Sequence, residues 1–162
     1  MRAVLSIGSN MEDRYSLLRG VVTEFNAELV KASAIYSTAP WGVEDQDEFL
    51  NAILIVDVTC TPLELLQRGQ QLEQAADRIR VRKWGPRTLD VDIVQIRDAG
   101  AALVSADPVL TLPHPWAWQR AFVLVPWLEV ESEAVLSGTP VAELVDNLDS
   151  TDLEGVRKVG KF

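Results

Sequence analysis

Asp90 and Asp92 stand two residues apart at the start of an apolar run. From Arg78 to Arg87, just before them, lie five cations (Arg78, Arg80, Arg82, Lys83 and Arg87) and no anion, in a chain whose net charge is −9. On a strand, an i, i+2 spacing puts both carboxylates on one face, roughly 6–7 Å apart along the chain. A solvated strand face would account for alternating carboxylates taken alone. Like charges on one face repel, however, unless a cation offsets them. Mg²⁺ takes one or two carboxylates and fills its octahedron with water and phosphate oxygens. Arginine offers planar, bidentate contacts to phosphate. The pattern therefore points to phosphate plus Mg²⁺, with Asp90, Asp92 and the cations from Arg78 to Arg87 as the residues that would carry the chemistry. Trp84, Gly85 and Pro86 lie inside the basic run, which marks it as a loop that closes onto something rather than a solvated tail.

The elements that must position these residues follow from the pattern on either side. Thr61-Pro62-Leu63-Glu64 is a helix start, with a capping threonine, proline at the first helical position and a glutamate completing a capping box. The helix runs to about Ile79 and carries its core stripe on Leu65, Leu72, Ala76 and Ile79. Gln70 and Glu73 fall on another face. Residues 88–96 read as a strand, with Leu89, Val91 and Ile93 opposite the two aspartates. Upstream, 2–8 reads as a buried strand ended by Gly8-Ser9-Asn10, 13–28 as an amphipathic helix and 30–37 as a strand. Thr38-Ala-Pro-Trp-Gly42 then opens a surface loop, and 49–59 reads as a long central strand. Downstream come a short strand near 101–105, a Pro-interrupted stretch holding His114, and a helix over 117–130 in which Pro126 is a breaker. A last helix runs over 139–148, and 149–162 is expected to be a polar, loosely attached tail.

The order strand, helix, strand, strand, helix, strand is the split βαβ pattern of an α+β, ferredoxin-like fold. The sheet would be mostly antiparallel with helices packed mainly on one face, followed by C-terminal helical additions. Residues 1–148 form one domain on this reading. The length of 162 residues suits one domain with a sizeable core. A single cysteine, Cys60, points to a reducing, cytoplasmic setting. No window approaches a membrane-spanning length, and a pI near 4.6 argues against general nucleic-acid binding. The partners expected are small molecules, with the protein a monomer.

Several further residues have both a plain and a functional reading. His114, between two prolines, is a turn residue or a donor to a phosphate oxygen rather than an obligate general base. Phe49 and Phe122 are core residues, or rings that hold a flat heterocycle beside the amide of Asn51. There is no G-x-x-x-x-G-K-[ST] loop, no G-x-G-x-x-G turn, no zinc-type Cys/His cluster and no G-x-S-x-G elbow.

Gly8-Ser9-Asn10, Thr38-Ala-Pro-Trp-Gly42, Gln46 with Phe49-Leu-Asn51-Ala, Leu72-Glu73 with Arg78-x-Arg80, Trp84-Gly-Pro-Arg-Thr-Leu-Asp-Val-Asp-Ile93, and Pro113-His-Pro with Arg120-x-Phe122 occur in this order. In these motifs the chain resembles the 6-hydroxymethyl-7,8-dihydropterin pyrophosphokinase family, with Trp84–Ile93 the most specific run. The resemblance implies ATP as co-substrate, two Mg²⁺ ions, and transfer of the β,γ-diphosphate to the pterin's hydroxymethyl group with release of AMP, in folate biosynthesis. It implies Asp90 and Asp92 as the metal ligands, and Gln70, Glu73, Arg78, Arg80, Ile93, Thr111, His114 and Arg120 around ATP. It implies Thr38, Pro40, Trp41, Phe49, Asn51, Trp84, Arg87 and Phe122 around the pterin. Two competing readings are a ferredoxin-like domain that holds a nucleotide without turning it over and an RNA-binding domain. The charge of −9 and the lack of aromatic/basic alternation on a strand weigh against the second.

Overall fold

The computed structural model describes residues 1–10, 13–38, 48–78 and 89–162, with only the backbone of Arg78. In chain order the elements are β1 (Arg2–Ser9), α1 (Arg14–Glu24), β2 (Leu29–Ala32), β3 (Ile35–Thr38), β4 (Phe49–Asp57), α2 (Pro62–Arg78) and β5 (Asp90–Asp98). There follow β6 (Ala101–Ala102), β7 (Ser105–Asp107), β8 (Leu110–Leu112), α3 (Ala121–Val130), β9 (Val135–Leu136), β10 (Thr139–Pro140), α4 (Val141–Asp146), α5 (Ser150–Glu154) and β11 (Val156–Gly160). The main sheet has the order β11-β3-β4-β1-β5-β6, with β2 also pairing β4. Its pairings are antiparallel throughout. The mixed α+β architecture with a large antiparallel sheet is the one the element order predicts.

β1 is apolar on both faces because both faces are covered. Leu5 and Ile7 pack with Leu54, Val91 and Ile93 under α1 and α2. Val4 packs with Ile53, Ile55 and Val94 under α3 and α4, around the buried Trp127. The expectation of helices mainly on one face is corrected here: the C-terminal additions cover the second face. Each large side chain fully buried in this way contributes roughly 1.5–3 kcal/mol. α2 starts as its sequence dictates. The Thr61 N–H donates to Glu64 Oε1 and the Glu64 N–H to Thr61 Oγ1, both at 3.2 Å. Gly69 lets α2 lie close on β5, for a Cβ there would stand 3.2 Å from Val91 Cγ1.

The predicted strand over 30–37 is two strands. Ser33, buried between them, donates its N–H to the Ile53 carbonyl and accepts the Ile53 N–H on its hydroxyl, each at 2.8 Å. The next N–H, of Ala34, turns to the Glu129 carboxylate on α3 at 3.2 Å. Ser33 thus stays on β4, and the ladder breaks where Ala34 turns to α3. The predicted helix over 117–130 is a 3₁₀ turn, Ala117–Gln119, then a break at Arg120, then α3. Pro126 does not end that helix. It forfeits one backbone bond, to the carbonyl four residues earlier, and is buried against the second core.

Residues 149–162 are not a loose tail. β11 extends the sheet along β3, with Val156 opposite Thr38 and Lys158 opposite Tyr36. Tyr15 Oη donates to the Lys161 carbonyl at 2.6 Å, Lys158 lies 3.7 Å from Glu129, and Phe162 packs on the first core. Their polarity is that of an edge strand with one open face. Deleting residues 150–162 is therefore expected to lower stability by about 2–4 kcal/mol, the net worth of a few strand bonds and contacts. Urea denaturation of the shortened and full chains measures this, and an unchanged midpoint would restore the loose tail.

Candidate functional site

The site is built on register. β1 lies between β4 and β5, and Gly8 has Asn51 as its partner on one side and Asp90 on the other. Ser6 likewise lies between Ile53 and Asp92. Direct cross-strand partners share a face, so Asn51, Gly8 and Asp90 form one row on the side of the sheet that α3 covers. With strands about 4.8 Å apart, the backbones of Asn51 and Asp90 are about 10 Å apart across that row. Val91 and Ile93 face the opposite way, into the α1/α2 core. In β5 the pairing passes from Ile93 (opposite Leu5) to Gln95 (opposite Val4), skipping Val94. This bulge re-phases the strand: Val94 joins the α3-side core, while Ile96 returns to the α1/α2 side.

The edge of β5 that faces away from β1 is closed by groups other than a full strand. Glu73 Oε2 on α2 accepts the Val91 N–H at 3.0 Å. The His114 N–H donates to the Val94 carbonyl at 2.9 Å, and the Leu103 N–H to the Ile96 carbonyl at 2.8 Å. Glu73 thus holds the peptide between the two aspartates from the α2 side. Arg120 approaches from the other side, with Nη1 3.9 Å from Asp92 Oδ2. Its guanidinium carbon also stands 5.6 Å from the centre of the Phe122 ring. One arginine therefore reaches toward both a carboxylate and an aromatic.

His114 is held in one tautomer. Its Nδ1 accepts the Trp116 N–H at 3.2 Å, which leaves Nε2 to carry the proton and act as donor. Burial, chiefly, holds its pKa below the ordinary histidine value. Asp92 pulls it up and Arg120 pushes it down. At neutral pH the ring is accordingly neutral and donates through Nε2.

On the β4 side of the row, Thr38 Oγ1 donates to Asn51 Oδ1 at 3.1 Å. Asn51 is buried, whereas Phe49 and Phe122 are half-buried. Phe122 packs on the α3-side core, and Phe49 belongs to neither core cluster. Phe49 shares its face with Asn51 and Thr38, on the side of the sheet that α3 covers. Glu48, just before β4, accepts the Ser37 hydroxyl and pairs with Arg157 at 3.1 Å.

The structure thus gathers Asp90, Asp92, Arg120 and His114 with Asn51, Thr38, Phe49 and Phe122 on the α3 side of the sheet. Glu73 and Gln70 lie on α2, Gln70 exposed. Ile93 is buried in the α1/α2 core, and Thr111 sits on β8 with its hydroxyl on the Asp107 carbonyl at 3.0 Å. Around the edge of β5, then, ATP-side candidates lie on both flanks. Pro40, Trp41, Arg80, Trp84 and Arg87 lie outside the described residues, and so does the basic loop. The Trp116 amide escaped the sequence reading, and Gly8 was given no role in the site. Gly8 was legible as a strand end and as part of a motif, and a backbone N–H leaves no mark in sequence.

Among the described residues no three His, Cys, Asp or Glu side chains converge. Asp90 and Asp92 offer hard oxygen donors on one face, and the Asp92 side chain is 43% exposed. That donor set fits Mg²⁺, whose shell draws on water and phosphate as much as on protein.

The profile of the 7,8-dihydro-6-hydroxymethylpterin-pyrophosphokinase family matches residues 4–132. A protein of Mycobacterium tuberculosis (strain H37Rv) is 46% identical over 166 residues, spanning 96% of this chain and 88% of its own length. One of Methylorubrum extorquens AM1 is 40% identical over 96% of this chain and 98% of itself. One of Bacillus subtilis 168 is 35% identical over 96% and 88%. All three are named 2-amino-4-hydroxy-6-hydroxymethyldihydropteridine pyrophosphokinase. In three dimensions the chain is similar to the crystal structure of Plasmodium falciparum HPPK-DHPS with pteroate. The TM-score is 0.63 at 12% identity over 90% of this chain, a likeness of fold. The chain spans 42% of that longer protein.

Two outcomes follow from the geometry. Glu73→Gln, which keeps an acceptor oxygen for Val91, is expected to cost less stability than Glu73→Leu. The leucine leaves the Val91 N–H unpaired and should lose about 1–3 kcal/mol in chemical denaturation. In metal-free protein, NMR should place the His114 titration below that of an ordinary histidine, and Arg120→Ala should move it up. The folded-state value lies below the unfolded one, so the stability His114 contributes is present above the ordinary range and is lost as pH falls through the folded value. His114→Gln should lack that part of the pH dependence.

Proposed function

The chain belongs to the 7,8-dihydro-6-hydroxymethylpterin-pyrophosphokinase family, and from that premise we propose how its residues carry out the transfer. The reading is a pyrophosphokinase of folate biosynthesis that passes the β,γ-diphosphate of ATP to the hydroxymethyl group of 6-hydroxymethyl-7,8-dihydropterin. The observation that carries it is the single row Asn51–Gly8–Asp90. An amide and a carboxylate lie about 10 Å apart on one face, which supports a heterocycle contact at one end and a metal ion at the other, the span of a substrate with a flat ring and a reacting arm.

In this reading Phe49 and Phe122 take the two faces of the pterin, and Asn51 with Thr38 takes its polar edge. The hydroxymethyl arm then points along the row toward Asp90. Its oxygen attacks the β-phosphorus in line. The new O–P bond forms as the bond to the α-phosphate bridge breaks, AMP leaves with the bridging oxygen, and the hydroxyl proton passes to solvent. Asp90 and Asp92 hold Mg²⁺, two ions in this reading, which when bound supplies charge neutralisation on the phosphate oxygens. Arg120 stands where it can pair with a phosphate once a metal ion takes over Asp92. His114 donates Nε2–H to a phosphate oxygen without exchanging a proton. Glu73 keeps the metal-binding segment of β5 in place. Arg78, Arg80, Trp84 and Arg87 supply the phosphate lid, Pro40 and Trp41 the remaining pterin contacts, and Gln70, Ile93 and Thr111 the adenosine side. The protein works as a cytoplasmic monomer on small molecules. None of the helices among the described residues is long and apolar enough to cross a membrane.

The decisive assay mixes the protein with ATP, Mg²⁺ and 6-hydroxymethyl-7,8-dihydropterin and follows AMP. AMP should appear only when all three are present. Asp92→Ala should lower its formation by at least about a hundredfold, a loss of ~2.7 kcal/mol in transition-state stabilisation, with an unchanged circular dichroism spectrum. Undiminished turnover in that variant would remove the metal assignment, and AMP formed without pterin would replace the transfer by ATP hydrolysis.

A further inference from the structure

Gly8 is the one residue in the row Asn51–Gly8–Asp90 without a side chain, and the space above it is taken. A Cβ built on Gly8 would stand 2.5 Å from Asn51 Nδ2. Real Cβ atoms do not approach a nitrogen so closely. The next atoms are the Leu50 carbonyl oxygen at 3.5 Å and Asn51 Cγ at 3.6 Å, both ordinary contacts. The conflict is therefore with the end of one side chain. The Asn51 amide nitrogen lies over the glycine, with Oδ1 accepting from the Thr38 hydroxyl at 3.1 Å. Asn51 is 6% exposed, so an atom added at residue 8 could be accommodated only by swinging the amide away from Thr38. The φ of Gly8 is not positive. Backbone conformation does not demand glycine here, and the demand comes from the neighbouring amide.

We propose that Gly8 is a positioning residue for the pterin. Its missing side chain forms the floor on which the Asn51 amide is held at the angle that reads the heterocycle edge, and it keeps the path between Asn51 and Asp90 open for the hydroxymethyl arm. The inference rests on the pterin reading given above and deepens it. Specificity at this end of the site lies in three residues from three strands: Thr38 aims the amide, Asn51 makes the contact, and Gly8 leaves room for both.

Gly8→Ala tests it, compared with Asn51→Ala and the double variant. In Gly8→Ala the KM for 6-hydroxymethyl-7,8-dihydropterin should rise about tenfold or more, the effect of misplacing one buried hydrogen-bonding group. The KM for ATP should stay within about twofold. In the Asn51→Ala background the added methyl has nothing to strike, so Gly8→Ala should cost less than about twofold more. A crystal structure of Gly8→Ala should show the Asn51 amide turned away from Thr38, a readout independent of turnover. An unchanged pterin KM, an equal rise in both KM values, or full additivity in the double variant overturns the proposal. Should Gly8→Ala fail to fold while the double variant folds, the clash with Asn51 is supported. If neither folds, Gly8 serves the sheet and the proposal falls. Wild-type protein that forms no AMP from this pterin would sink the function reading alone, since the Asn51 displacement is read separately.

Discussion

The register of β1 against its two neighbours governs everything else in the molecule. A strand buried on both faces cannot slip by one residue without turning every side chain to the wrong core. Here Leu5 and Ile7 belong to the α1/α2 side and Val4 to the α3 side. The apolar packing of residues that never meet a ligand thus sets Gly8 between Asn51 and Asp90, and Ser6 beside Asp92. Precision at the polar end of the sheet is inherited from the greasy end.

The bulge at Val94 makes that inheritance compatible with a second core. Without the extra residue, the alternation that turns Asp90 and Asp92 toward α3 would also turn Ile96 there and leave the α1/α2 side short of a large side chain. With it, the acidic end and the apolar end of β5 each face the layer that suits them. The break at Arg120 does comparable work for the helical layer. The chain leaves a 3₁₀ turn in extended conformation and starts α3 at Ala121. That carries the Arg120 guanidinium toward Asp92 while Val123, Leu124 and Trp127 go into the core.

Much of this was legible in the residues. Thr61, Pro62 and Glu64 announced the start of α2 because a capping box is a local device whose partners lie three residues apart. Asp90 and Asp92 were legible because period-two alternation with Leu89, Val91 and Ile93 fixes their common face. Where partners are distant the signal fades. Ser33 reads as an ordinary strand residue until Ile53 is seen beside it. The stretch over 156–160 reads as polar tail because an edge strand buries little, and its register comes from β3, more than a hundred residues away. Gly8 and Gly69 show the same limit in another form. A glycine reveals that a side chain is missing, and only the fold reveals whose atoms fill the space.

The dressing of the β5 edge has a further consequence. A row of unpaired strand groups is a template on which another chain can build, and β6 covers only Arg97 and Asp98 of this one. The Glu73 carboxylate and the His114 and Leu103 amides occupy Val91, Val94 and Ile96 between them. At the opposite margin of the sheet, β11 presents Arg157 and Lys158. Glu73 and His114, two residues of the candidate site, thereby also guard the sheet against adding strands from its own kind, so closing the sheet edge and shaping the site draw on the same residues and have to evolve together.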